Sequence, residues 1–140
     1  MLDYHTLMAE HDRLVVQVTA LEAAIDTGDG VAIHHAFATL SSELVAHLAK
    51  EDSMIYPRLI AGDDAETSAA AREVIDEFRD LAADFGALVG WATADAIMAQ
   101  PERFADEARG LLVRLRGRVR RENELLYPQA LRAAHIRLRS

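Results

Sequence analysis

The stretch Leu44-Val45-Ala46-His47-Leu48-Ala49-Lys50-Glu51-Asp52-Ser53-Met54-Ile55-Tyr56-Pro57 decides how this chain folds. A weaker copy returns 71 positions later, as Leu115-Arg116-Gly117-Arg118-Val119-Arg120-Arg121-Glu122-Asn123-Glu124-Leu125-Leu126-Tyr127-Pro128. Glu51 aligns with Glu122, Tyr56 with Tyr127 and Pro57 with Pro128, and the chemically telling exchange is His47 for Arg118. Residues four apart share one face of a helix. That face is otherwise apolar, with Leu40, Leu44, Leu48 and Ile55 in the first copy and Leu111, Leu115, Val119 and Leu126 in the second. Ionisable groups set in an apolar stripe need a partner, because burying them unpaired is costly. The partner of these four side chains decides what the protein does.

Working outward, the same periodicity marks four helices. The first covers about 2–26, with Leu7, Leu14, Val18, Leu21 and Ile25 facing in. Thr27-Gly28-Asp29-Gly30 is strong turn chemistry and ends it. The second covers about 31–60 and stops at Ala61-Gly62-Asp63-Asp64. The third covers about 65–92, with Val74, Phe78, Leu81, Phe85 and Leu88 inward; Gly86 and Gly90 within it predict close approach of a neighbouring helix. Residues 93–100 read as a short irregular connection, and Pro101 suits the first turn of a fourth helix reaching about 134. Pro57 and Pro128 fall late in helices two and four, where each should kink or end the regular ladder. No strand-like alternation and no phosphate-binding glycine loop is present. The expected fold is all-α, an antiparallel up-down four-helix bundle forming one domain over residues 1–140.

Composition narrows the function. With no cysteine there is no disulfide, thiolate nucleophile or sulfur metal site. No apolar run approaches the roughly 18 residues that span a membrane, and Asp3, Glu10 and Asp12 stand where a signal peptide would be basic and then apolar. A cytoplasmic protein with no membrane partner is the expectation. A formal charge of −8 argues against nucleic acid. Nine of the fifteen Lys and Arg residues nevertheless follow position 108, behind the acidic Glu73, Asp76, Glu77, Asp80 and Asp84. Neighbouring helices with complementary flanks explain this pattern, the alternative being a surface for an acidic partner.

Heights counted from the turns bring the polar groups together. His11 lies 17 residues before Gly28 and His47 lies 17 after Gly30. At about 1.5 Å per residue, both sit roughly 25 Å from that end of the bundle. Arg118 is 17 residues beyond Pro101 and Phe78 is 17 before Asp95. One layer should therefore contain His11, His47, Glu51, Arg118 and Glu122, closed on the fourth side by Phe78. Two imidazoles and two carboxylates from three helices can make a site for iron, manganese or zinc. The competing reading is an ion cluster in which Arg118 bridges Glu51 and Glu122.

These residues resemble the hemerythrin-like, HHE-type cation-binding domains over nearly the whole chain. The resemblance rests on Glu10-His11-Asp12-Arg13-Leu14, on His47-x3-Glu51-Asp52-x2-Ile55-Tyr56-Pro57, and on Glu122-x3-Leu126-Tyr127-Pro128. It implies an up-down bundle holding two non-haem irons, with roles in dioxygen binding, oxygen or redox sensing, iron handling, and defence against peroxide or nitric oxide. Carried over by position, His11, His47, Glu51 and Glu122 match family metal ligands. Two positions depart. Helix three offers Phe78 and helix four Arg118 where the family places histidines.

The first iron's histidines and both bridging carboxylates thus remain, while the second iron's histidines are gone. The ligand set favours one iron over two, for small-ligand binding, sensing or storage and not for turnover. The small-ligand partner it implies is dioxygen or nitric oxide, and a homo-oligomer is compatible. A metal-free interaction or regulatory module, with Arg118 in the metal's place, is the rival. A further alternative keeps two metals by recruiting His5 or a tyrosine. His34, His35 and His135 read as surface residues; Tyr56 and Tyr127 read as packing residues, the alternative being that they reach toward the layer from below.

Overall fold

A computed structural model describes residues 4–139, with side chains described as far as Ala133. Its elements are α1 (Tyr4–Thr27), α2 (Gly30–Lys50), a π-helical turn (Glu51–Ile55), α3 (Tyr56–Ala61), α4 (Ala65–Glu77), α5 (Leu81–Trp91), α6 (Ala94–Ala99), α7 (Pro101–Arg121), a second π turn (Glu122–Leu126) and α8 (Tyr127–Arg139). They assemble into four rods: α1; α2 with α3; α4 with α5; and α7 with α8. Consecutive rods run antiparallel. The first packs on α2 and α7, and α5 also packs on α2 and α7, which closes the ring of an up-down bundle. No strand occurs among the described residues, and no described helix is long and apolar enough to cross a membrane.

Local chemistry sets the joints. Gly28 has φ +72°, a left-handed conformation that glycine adopts without a Cβ penalty. Asp29 then caps α2, its carboxylate accepting from the Val31 and Ala32 amides. The predicted irregular connection at 93–100 is instead largely helical: the Thr93 hydroxyl accepts from the Ala96 amide and starts α6. Met98 of α6 lies so close over Gly30 that a Cβ there would overlap its side chain. Pro101 opens α7 as expected.

The third rod is not the continuous helix that its periodicity predicts. Phe78 (φ −114°, ψ 22°) and Asp80 (φ −92°, ψ 1°) leave helical geometry, and the Leu81 amide donates back to the Phe78 carbonyl at 3.1 Å. Phe78 and Leu81 both lie in the core on either side of this tightened turn. Gly86 and Gly90 do not serve close helix approach, since each faces open space; Gly117, like Gly30, is one that a neighbour does touch, here the Phe78 ring. The interior is filled by the stripes read from the sequence, with Leu7, Leu21, Leu40, Leu44 and Leu81 fully enclosed. Arginines of the fourth rod meet carboxylates within the chain: Arg121 with Glu77 at 2.8 Å, Arg114 with Asp84 at 2.7 Å and Arg109 with Asp26 at 3.1 Å.

Both prolines interrupt the regular ladder without ending the rod. A proline ring clashes with the carbonyl four residues before it and has no N–H to offer. Just ahead of each ring the helix widens, so that the Tyr56 amide bonds the Glu51 carbonyl and the Tyr127 amide bonds that of Glu122. Each bond spans five residues, and the helix resumes beyond it. In an unbroken α-helix the fifth residue lies about 140° further round. The extra residue in the wide turn brings each tyrosine back over its glutamate, onto the inner face.

Candidate metal centre

His11, His47, Glu51 and Glu122 meet in one buried layer, as the heights predict, and one ligand atom from each lies within 4.8 Å of every other. His11 Nε2 is 3.0 Å from His47 Nε2 and 3.0 Å from Glu122 Oε1. His47 Nε2 is 3.2 Å from Glu51 Oε1, four residues along its own helix. Donors at the corners of a tetrahedron with bonds of about 2.1 Å stand about 3.4 Å apart. These three spacings fall just below that value, and His11 Nε2 to Glu51 Oε2, at 3.9 Å, lies above it.

Proton bookkeeping explains why this focus suits a cation. His47 Nδ1 lies 2.8 Å from Glu10 Oε1, and Lys50 Nζ donates to Glu10 Oε2 at 2.7 Å. Partial burial works against the Glu10 charge, but Lys50 and His47 outweigh it and hold the carboxyl below its usual range. An ionised Glu10 only accepts, so His47 Nδ1 carries the proton. His11 Nδ1 likewise donates outward, to Asn123 Oδ1 at 2.7 Å. Both Nε2 atoms therefore turn inward toward carboxylate oxygens. Glu122 Oε1 is buried with no hydrogen-bond donor aligned on it, despite the nearby imidazole. An undonated carboxylate oxygen beside a second glutamate and two inward Nε2 atoms fits a bound cation, with zinc, iron or manganese all compatible with two nitrogens and two oxygens.

Two tyrosines complete the layer, and here packing is not their whole role. Tyr56 Oη donates to Glu122 Oε2 at 2.5 Å, and Tyr127 Oη donates to Glu51 Oε2. The bonds cross, each tyrosine serving the glutamate of the other motif. Burial and the carboxylate charges push both phenols up, so they stay protonated donors. The Tyr127 ring also stacks on His11 at 5.5 Å between centroids.

Arg118 is buried and bridges the carboxylates, as the ion-cluster reading expects. Its Nη2 lies 3.4 Å from Glu51 Oε1 and its Nε 3.3 Å from Glu122 Oε2. It also reaches Asp52, half-exposed at the edge of the layer, at 3.2 Å. Burial opposes the guanidinium charge, yet Glu122 and Glu51 more than compensate and raise its pKa. Burial, together with the Glu122 charge, lifts Glu51 to about 7. Glu122 is buried as deeply, but His11, Glu51 and Arg118 draw its carboxyl down.

Sequence reasoning brought together the four candidate ligands and Arg118, and it placed Phe78 beside them. The Phe78 ring packs on Gly117, one residue before Arg118. His5 and His35 are exposed and His34 is half-buried, so His5 does not join the layer. The His135 side chain lies outside those described. The roles of Glu10 and Asn123 were missed, and the tyrosines' reach into the layer was ranked below packing. The prolines following each tyrosine were the available signal for the last of these.

Among known proteins, no curated protein and no solved structure matches the chain. The family described as the hemerythrin HHE cation-binding domain matches residues 2–130. With that match over nearly its whole length, a four-helix bundle and a buried His/Glu cluster able to hold a cation, this chain belongs to the hemerythrin HHE cation-binding domain family.

Proposed function

We propose that the protein binds one iron ion through His11 Nε2, His47 Nε2, Glu51 and Glu122, and serves in small-ligand binding, sensing or iron handling. The observation that carries this reading is a pair of outward-tethered imidazoles whose Nε2 atoms meet the two buried carboxylates, His47 at Glu51 Oε1 and His11 at Glu122 Oε1, the latter oxygen having no aligned donor. Four protein donors leave further positions on an iron open, and a bound iron would supply the affinity for dioxygen or nitric oxide. The chain's own residues do the rest. The helix stripes exclude water, the crossed tyrosines orient the carboxylates, and Arg118 balances negative charge where the family places a second histidine pair.

Metal content per chain, measured by plasma mass spectrometry after purification without chelator and again after anaerobic iron loading, tests this. About one iron per chain is expected, falling to none in His47→Ala while circular dichroism stays helical. Stoichiometric metal retained in that variant would overturn the ligand assignment. A second reading has its own observation: Arg118 bridges Glu51 and Glu122 inside the core. On that reading the bundle is a metal-free interaction or regulatory module, and added ferrous iron leaves the melting temperature unchanged.

A further inference from the structure

The two imidazoles of the layer are tethered by different chemistry. His47 Nδ1 donates to the Glu10 carboxylate, one residue before His11 on α1. His11 Nδ1 donates to the Asn123 amide oxygen, one residue after Glu122 in the second π turn. We propose that Glu10 is a positioning residue that makes His47 the stronger electron donor to a bound cation, while Asn123 leaves His11 the weaker one. The proposal rests on the metal-binding reading above.

Hydrogen bonding of an imidazole N–H to an outer partner fixes the ring and raises its basicity as a ligand. A carboxylate does this more strongly than an amide, because the bond is charge-assisted. Glu10 is only 16 % exposed, so water screens the bond little. Lys50, 41 % exposed, holds the other oxygen of Glu10 at 2.7 Å and leaves the oxygen that faces His47 to the imidazole. Glu10 and Lys50 line a small cleft of about 90 Å³ between α1 and α2, along with Glu43 and His47 itself. Glu43 thus supplies a carboxylate in the same cleft; its oxygen is taken by Gln17 and it serves as a control for charge alone.

The experiment uses the full chain with zinc as a diamagnetic probe. Zinc affinity is read by competition with a chromophoric chelator, and the His47 Nδ1–H resonance is read by proton–nitrogen NMR of the zinc-loaded protein. Glu10→Gln keeps an acceptor without charge and should weaken binding about tenfold, and Glu10→Ala about a hundredfold. The Nδ1–H resonance should move upfield in Glu10→Gln. Asn123→Asp should tighten binding by giving His11 the partner that His47 has, and Glu43→Gln should change nothing. The near-isosteric glutamine variant keeps the test valid if the alanine variant loses its fold. Wild-type affinity and an unmoved resonance in Glu10→Gln would overturn the proposal, as would an equal loss in Glu43→Gln. A wild-type protein that takes up no zinc would overturn the metal-binding reading itself.

Discussion

The motif ending in Pro57 and the motif ending in Pro128 have one backbone and two chemistries. Each runs as an α-helix to a buried glutamate, widens into a π turn, and returns a tyrosine to the inner face. The tyrosines then cross, so that Tyr56 serves Glu122 and Tyr127 serves Glu51. Four residues ahead of the glutamate, one motif carries an imidazole and the other a guanidinium. The glutamates diverge accordingly. Glu51 is pushed up by burial beside Glu122, while Glu122, held by His11 and Arg118, is drawn down. A repeated backbone fixes where the groups meet, and the residue one turn upstream fixes the charge they hold.

Exchanging that residue tests the comparison most directly. Arg118→His should raise the metal count after iron loading from one toward two per chain. A count that stays at one would show that the motifs differ by more than position 118, with Phe78 the next residue to change. Arg118→Met keeps the volume but leaves two buried carboxylates without their cation. Breaking a buried pair this way costs about 3–5 kcal/mol, and urea unfolding of metal-free protein should show it. A loss below about 1 kcal/mol, the scale of exposed pairs, would mean that Arg118 is not what balances the layer.

The tyrosines sharpen the same contrast at smaller scale. Replacing either by phenylalanine leaves a buried carboxylate oxygen short of a donor, at about 1–3 kcal/mol. Tyr56→Phe should cost more at neutral pH, because its acceptor Glu122 is ionised and the bond charge-assisted. Equal losses would argue that both glutamates carry the same charge. The smallest effect belongs to the partly exposed Arg116–Glu22 pair outside the layer. The Arg116 hydrogen bond outweighs partial burial and holds Glu22 below 4.5. Its contribution is present above that value and fades as pH falls through the lowered one. Solvent screens the pair, so Arg116→Gln should cost under about 1 kcal/mol and flatten the acid limb of the stability curve slightly.

Much of this contrast is legible from residue spacing alone. Regular helices carry position linearly, so equal counts from the turns set His11, His47 and Arg118 in one layer, with Phe78 beside it. Where the helix is irregular, that arithmetic fails. For Tyr56 and Tyr127 packing was favoured over reach into the layer; α periodicity turns the fifth residue away from its glutamate, and the π turn brings it back. The break at Phe78 was hidden by an apolar pattern that continues unbroken through Leu81. Gly86 and Gly90 promised a close helix contact that does not exist, because glycine permits approach without demanding it. Thr93 was a readable cap, overlooked because the six residues of α6 are too few for periodicity to register.

The single tryptophan stands at the other end of the bundle. Trp91 packs edge-on against Phe104, lies under Arg103 at 4.2 Å and donates to Glu107 at 3.0 Å. Phe104 precedes Arg118 by 14 residues, about 21 Å along the helix. Trp91 emission therefore reports on the joint between α5 and α7, while the tyrosine ultraviolet band, from Tyr56, Tyr127 and the Tyr4 ring packed on Tyr127, reports on the buried polar layer and its flank. The protein carries its own two-colour thermometer. One heating run, followed at both wavelengths, separates a bundle that opens all at once from one that frays at one end first.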